Sequence, residues 1–126
     1  MSLSAVWIRC LRVLLALTWL YQGLWLKLIV RDPQHLHVVE SVGPVAGLAP
    51  ADFLTLIGAG ETLLALGILS GLLHNFVAVF QIALLVSMNS IGILSGGVEK
   101  PVGLVVGNLP LLFCMLLHWR RGGAAA

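Results

Sequence analysis

Five polar side chains that could bind a ligand or move a proton lie inside long apolar runs of this sequence: Gln22, Lys27, Glu61, Asn89 and Asn108. Glu61 stands in GAGETLLALGILSGLL, residues 58–73, where every other side chain is apolar, small or a hydroxyl. A carboxylate can accept and release a proton, an ammonium can donate hydrogen bonds, and amides can orient a ligand. Because an isolated charge in hydrocarbon costs several kcal/mol, we expect Glu61 either to pair with Lys27 or to be protonated.

The composition predicts that these side chains lie in a membrane. The chain of 126 residues is 60% hydrophobic and 10% charged, whereas soluble domains are about 45–50% apolar and about 25% charged. Its mean hydropathy is +1.05. Four runs reach the ~20 apolar residues that a spanning helix needs, at about residues 5–30, 50–73, 75–94 and 101–119. The net charge of +2 and the scattered basic residues argue against nucleic acid as a partner.

The connections between the runs predict the topology. The second, third and fourth runs are joined by short connections, so neighbouring helices should run antiparallel. The sequence therefore predicts an all-α fold, a single transmembrane domain over residues 1–126 built as an integral membrane four-helix up-down bundle. Arg9 and Arg12 precede the main apolar part of the first run, and Arg120 and Arg121 follow the fourth. Since Lys and Arg favour the cytoplasmic side, both termini are expected there.

The first outer loop, residues 31–49, is expected to contain a short helix. Asp32 can cap its start, Pro33 suits its first position and Gly43 can end it. Apolar residues recur every three positions in between, so we expect an interfacial helix at about residues 33–42. It would either cover the outer ends of the long helices, which is the simpler interpretation, or act as a lid.

The histidines do not predict a metal site. His35 and His37 lie on the expected interfacial helix, and two ligands alone do not hold a metal. Their rings diverge in a helix, so an interfacial polar pair is the favoured interpretation. His74 and His118 are expected at the cytoplasmic boundary of the membrane.

The five polar side chains are predicted to lie at a similar depth. With a rise of about 1.5 Å per residue they lie roughly 5–16 Å below the outer surface, while Gln81 lies nearer the other face. Ionisable groups inside a membrane usually face the interior of a helix bundle and mark function. We therefore expect a polar site in the outer half of the membrane, with a purely structural Lys27–Glu61 salt bridge as the alternative.

Helix geometry restricts which side chains can share this site. Gln22 and Lys27 are five residues apart, hence about 140° apart on an α-helix, and cannot both point straight at one ligand. Lys27 instead shares a face with Gly23 and Trp19. A contact between helices is the favoured role for Gln22, which nevertheless stays among the candidates for ligand binding.

Glycine spacing predicts where the helices approach closely. Gly60, Gly67 and Gly71 line one side of the second run, and Gly103 and Gly107 are four residues apart in the fourth. Small residues at a spacing of four let two helix backbones approach each other in a membrane. We therefore expect close contacts at these glycines.

Three segments together resemble the DoxX-like family of small four-helix bacterial membrane proteins. They are WLYQGLWLKL in the first run, GAGETLLALGIL in the second and KPVGLVVGNLP in the fourth, and the resemblance extends over about residues 12–119. It implies a bundle related to the DoxX and DoxD group, whose members are linked to thiosulfate:quinone oxidoreductase, quinol oxidase assemblies and thiol-stress complexes. Because Cys10 and Cys114 form no Cys-x-x-Cys pair, a thiol–disulfide relay is not expected here.

The resemblance and the polar layer together give a hypothesis about function. The chain would be a bacterial inner-membrane protein associated with quinone- or sulfur-linked redox chemistry, with a polar site open toward the outer side. A quinone-like headgroup or a small anion would bind there, which makes a quinone the candidate cofactor. Lys27 and Glu61 would be the catalytic residues, the first supplying charge or a donor and the second a proton acceptor or relay. Four residues would hold the ligand: Asn108, Asn89, Gln22 and Trp25.

Whether the chain is itself an enzyme is left open by the sequence. It could be a small enzyme or a subunit of a quinone-linked oxidoreductase. The alternative is a non-catalytic structural subunit or membrane anchor of a larger redox complex, in which the Lys27–Glu61 pair fixes helix register. Exposed helix faces would then dock onto a redox-enzyme partner subunit or onto a second copy of the chain, and the lipid bilayer is the surrounding medium in each case.

Overall fold

The computed structural model describes residues 3–122, and helices form most of that range. The elements in chain order are α1 (Leu3–Leu20), its continuation as a π-helical segment (Tyr21–Ile29), α2 (Pro33–Val42), α3 (Pro50–Ser70), α4 (His74–Leu94) and α5 (Pro101–Gly122). No β-strand occurs among the described residues, so the predicted all-α class is confirmed. Residues 1, 2 and 123–126 of the predicted domain lie outside the described residues.

Four stretches of helix are long and apolar enough to cross a membrane. They are Ser4–Ile29, Pro50–Ser70, His74–Leu94 and Pro101–Arg120, close to the four predicted runs. The second stretch ends before residue 73, because Gly71 adopts a left-handed φ of 73° and its N–H bonds the Gly67 carbonyl. The chain therefore has the helices of a multi-pass membrane protein.

The sequence predicted one continuous α-helix for the first span, but the last part of that span is a π-helix. The N–H of Val30 donates to the carbonyl of Trp25 at 2.8 Å. In a π-helix each N–H reaches the carbonyl five residues earlier, so residues five apart lie much nearer to the same side than they do in an α-helix. Gln22 and Lys27 consequently lie nearer to the same side of this segment, which corrects the separation of about 140° expected from α-helical geometry.

The short helix expected in the first loop is present as α2. The Asp32 side chain caps it by accepting a hydrogen bond from the Gln34 N–H at 3.0 Å. Pro33 occupies its first position, where a missing N–H costs nothing. Gly43 ends the helix with a φ of 87°, which only glycine adopts easily.

The four long helices form a closed ring of contacts, α1 with α3, α3 with α4, α4 with α5 and α5 with α1. Side chains from all four meet in the middle, where α4 contributes partly buried residues and the buried members of the core cluster are Leu15, Ala16, Trp19, Leu64, Ala65, Ile68 and Met115. α2 packs against α3 and α4. Polar side chains lie in the space between this core and α2.

Candidate functional site

The centre of the site is a buried ion pair between the first span and α3. Lys27 Nζ lies 2.9 Å from Glu61 Oε1 and donates to Oε2 at 3.1 Å. The two residues are 4% and 1% exposed. The same ammonium donates to the carbonyl of Gln22 at 3.2 Å. Lys27 therefore turns into the protein rather than toward the membrane surface, and Glu61 has the counterion expected from the sequence.

Two glycines set the distance between the helices that carry this pair. A Cβ atom at Gly23 would lie 2.7 Å from Glu61 Cβ and 2.8 Å from the Gly58 carbonyl oxygen. A Cβ atom at Gly58 would lie 2.9 Å from Lys27 Cβ. Such separations are too short for real side chains, so the backbones can come this close only because both positions are glycine.

The glycine spacing did not indicate Gly58, and it predicted close contacts at other glycines that do not make them. Gly60 is exposed and has nothing near its Cβ position, and the same holds for Gly107. Gly67 does pack closely, with a Cβ position 3.3 Å from Val77 Cγ2. The available signal for Gly58 was its place three residues before Glu61, on the same face of the helix.

A cavity of about 360 Å³ opens beside the ion pair. All long helices contribute to its lining, and the polar residues in it include five that the sequence singled out, namely Gln22, Lys27, Glu61, Asn89 and Asn108. Within it, Asn108 Nδ2 donates to Asn89 Oδ1 at 3.3 Å. That bond leaves the Nδ2 group of Asn89 and the Oδ1 atom of Asn108 for a ligand.

The aromatic residues of the first span divide between cavity and exterior. Trp25, expected to hold the ligand, is 50% exposed and does not line the cavity. Tyr21 is 54% exposed. Trp19 is buried and lines the cavity. Trp25 is therefore not among the residues that could touch a ligand in this cavity, whereas Gln22, favoured above as a contact between helices, is among them.

α2 forms the roof of the cavity through Gln34, His35, Val38 and Val39. Nδ1 of His35 is buried and has no hydrogen-bond partner among the described residues. Burial lowers the pKa of His35, the nearby Lys27 charge lowers it further, and Asp32 opposes both effects. His35 is therefore a neutral ring at neutral pH, able both to donate and to accept a hydrogen bond.

The roof is held at both of its ends. Near its start, Arg31 donates to Thr55 Oγ1 and to the Ala51 carbonyl, each at 2.8 Å. Near its end, the Ser41 and Ser95 hydroxyls are 2.9 Å apart. These contacts fix α2 over α3 and over the connection between α4 and α5. His37, the other histidine of the helix, is exposed and lies outside the cavity lining.

The lining is that of a mainly apolar pocket with several polar groups and no net charge. The Lys27 and Glu61 charges cancel, His35 is neutral, and the other polar groups are amides, a hydroxyl and an indole. Apolar side chains complete the walls. Such a pocket can hydrogen-bond a small molecule at several points and can exchange a proton at Glu61. Within residues 3–122, no group of three His, Cys, Asp or Glu residues could hold a metal ion.

A sequence profile of the DoxX-like family matches residues 16–116. That range includes the ion pair, both close-packed glycines and every cavity-lining residue named above. Comparisons with curated proteins and with solved structures give no match.

Proposed function

Because this chain belongs to the DoxX-like family, we propose that it binds a small neutral redox molecule, such as a quinone headgroup, in the cavity beside Lys27 and Glu61. The site would serve quinone- or sulfur-linked redox chemistry in a bacterial inner membrane. The observation that carries the proposal is the buried ion pair facing a cavity of about 360 Å³, a volume within the usual range of ligand pockets.

The charge of the lining favours a neutral ligand over the small anion that the sequence left open. An anion near Lys27 would also face the Glu61 carboxylate, which is 1% exposed and therefore poorly screened. A neutral ring with carbonyl or hydroxyl oxygens has no such repulsion. It would match the donors of Lys27 and Asn89 and the acceptors of Glu61 and Asn108.

Each polar residue has a definite part in this proposal. Lys27 donates to a ligand oxygen, and Glu61 takes up or returns a proton at a ligand hydroxyl. Asn89, Asn108 and Gln22 orient the ring. A quinone supplies the capacity to carry two electrons with two protons, and the electrons would come from a redox-enzyme partner subunit. The chain itself would then bind the ligand and manage its protons.

The proposed arrangement in the membrane is an up-down bundle in one domain, with both termini cytoplasmic and α2 on the outer face. His74 Nε2 lies 3.2 Å from the Trp119 carbonyl, which brings the start of α4 beside the end of α5. A Cβ atom at Gly71 would lie 3.5 Å from the Arg12 guanidinium, which brings the end of α3 beside the middle of α1. These contacts support antiparallel neighbours.

The proposal is tested by the quinone content of the purified protein. We expect organic extracts of the wild type to contain quinone, and Asn108→Leu to weaken binding of added decylubiquinone about threefold to tenfold, the value of one hydrogen bond. Trp25→Phe is the matched control, since Trp25 lies outside the cavity. Absence of quinone together with no binding of decylubiquinone would rule the proposal out.

The second candidate function is a non-catalytic subunit or anchor of a redox complex. It is favoured by one observation, that the Lys27 ammonium already bonds Glu61 and the Gln22 carbonyl and so could serve register alone. Co-purification of a redox enzyme with a chain that binds no quinone would support it.

A further inference from the structure

A second buried polar cluster lies below the cavity, toward the start of α4. The Trp19 indole Nε1–H donates to Gln81 Oε1 at 3.1 Å, and Gln81 Nε2 lies 2.9 Å from His118 Nδ1. These three side chains, here called the inner polar chain, belong to α1, α4 and α5, and none is more than 4% exposed. His118, expected at the membrane boundary, is thus buried in the protein.

The indole fixes the direction of both hydrogen bonds. An indole N–H can only donate, so the amide oxygen of Gln81 faces Trp19 and its NH₂ group faces His118. Because an amide NH₂ group also only donates, Nδ1 of His118 must be the acceptor and carry no proton. His118 is therefore held as a neutral ring with its proton on Nε2.

This arrangement cannot carry protons to the cavity along its hydrogen bonds. The indole nitrogen of Trp19 has no free lone pair with which to receive a proton from Gln81. The inner polar chain consequently ends at Trp19, a residue that lines the cavity. These hydrogen bonds can therefore affect the cavity only by fixing the position of the Trp19 side chain.

We propose that Gln81 and His118 are positioning residues that hold Trp19 in the wall of the cavity. Turning the Gln81 amide over would set its NH₂ group against the indole N–H, leaving two buried donors without acceptors. The acceptor at His118 Nδ1 keeps the amide in its observed orientation. The positioning of Trp19 by Gln81 and His118 does not depend on a ligand. The effect of this positioning on ligand binding rests on the proposed function.

The positioning of Trp19 is tested by nuclear magnetic resonance of the full chain in detergent, with ¹⁵N-labelled tryptophan and histidine. We expect Gln81→Leu and His118→Leu each to shift the Trp19 indole resonance, assigned with Trp19→Phe. His118→Asn should keep the Trp19 indole resonance at its wild-type position. Asparagine Oδ1 can accept the hydrogen bond from Gln81, and it is the same number of bonds from the backbone as histidine Nδ1. The His118 ring nitrogens should show an unprotonated Nδ1 and a protonated Nε2.

Leu116→Ala is the matched control, since Leu116 lies on α5 near His118 and is 41% exposed. Should a leucine variant fail to fold by circular dichroism, the ring nitrogens of wild-type His118 still decide the matter. A protonated Nδ1, or a Trp19 resonance that does not respond in a folded Gln81→Leu protein, would overturn the inference.

The effect on the cavity is measured with decylubiquinone as the probe. We expect Gln81→Leu to weaken its binding about threefold to tenfold, His118→Asn to leave it near the wild-type value, and Leu116→Ala to leave it unchanged. If wild type and Gln81→Leu bind decylubiquinone equally well, Gln81 does not position Trp19 for ligand binding. If the wild type binds no decylubiquinone, the proposed function and the effect of Gln81 on binding are both wrong. The shifts of the Trp19 indole resonance still test the hydrogen bonds among Trp19, Gln81 and His118.

Discussion

At the scale of single residues, the ion pair explains how a carboxylate persists in so apolar a chain. Glu61 is 1% exposed, and the Lys27 ammonium lies within 3.1 Å of both of its oxygens. Removing one member of a buried pair leaves an uncompensated charge, whereas removing both leaves none. The two kinds of replacement should therefore differ in stability.

We predict that Lys27→Met lowers the free energy of unfolding by about 3–5 kcal/mol, the usual cost of breaking a buried ion pair. The double variant Lys27→Met with Glu61→Met should recover most of that loss, because no buried charge remains. Thermal unfolding in detergent measures both changes. Lys100→Met, at an exposed lysine, is the control and should change little. Equal instability of single and double variants would show that packing, and not charge, holds these helices.

His35 gives a second prediction, in its dependence on pH. Its pKa is lowered from the ordinary 6.5 by burial and by Lys27, so the unfolded chain binds the proton more readily than the folded one. Above the ordinary pKa both states are neutral and His35 has no effect, whereas below it the folded state loses stability as pH falls. Asp32 opposes the shift without reversing it.

The measurement is the melting temperature across pH 5 to 8, roughly the interval in which histidine titrates. We expect the melting temperature of His35→Asn to fall less steeply than that of the wild type as the pH is lowered below 6.5. His37→Asn should follow the wild-type curve, since His37 is exposed on the same helix. Parallel curves for wild type and His35→Asn would contradict the burial of this ring.

At the scale of elements, the sequence predicted the helices better than their contacts. Hydropathy and capping residues located the four spans and α2 to within a few residues, because both signals are local. Counting depth along each span also brought together Gln22, Lys27, Glu61, Asn89 and Asn108. The count of depth needed only an approximate rise per residue along each helix.

The remaining features depend on contacts between helices, which the sequence alone does not give. The change from α- to π-helix at Tyr21 altered which side Gln22 faces, and no residue type marks that change. Gly58 rather than Gly60 meets the first span because of helix rotation, which depends on every partner at once. The orientation of the first span leaves Trp25 50% exposed, and the packing of α2 brings His35 into the cavity lining.

Two glycines of α3, Gly58 and Gly60, provide a matched test at this scale. We predict that Gly58→Ala destabilises the protein by about 1–3 kcal/mol, the usual cost of overpacking, because its Cβ atom would lie 2.9 Å from Lys27 Cβ. Gly60→Ala has open space and should be neutral or stabilising by about 0.5–1 kcal/mol, as alanine favours helix. Thermal unfolding of both variants gives the comparison, and a similar loss in each would argue against a close crossing at Gly58.

At the scale of the whole molecule, basic residues are more numerous at one end of the long helices than at the other. Four arginines, at positions 9, 12, 120 and 121, flank one end, and no acidic residue lies among them. Apart from the ion pair, the other end has two basic residues, Arg31 and Lys100, and Arg31 is bound to α3. The end with the four arginines is therefore the one expected in the cytoplasm.

Orientation is tested by labelling single cysteines in intact spheroplasts with a maleimide that does not cross membranes. In a background of Cys10→Ser and Cys114→Ala, we predict that Glu40→Cys on α2 reacts at once, because the proposed orientation places α2 on the outer face. Leu72→Cys, at a site 72% exposed between α3 and α4, should react only after permeabilisation, since the positive charges of Arg12 and Arg120 favour the cytoplasmic side for that end. The reverse pattern would move the cavity roof to the cytoplasmic face, and a ligand entering past α2 would then come from inside the cell.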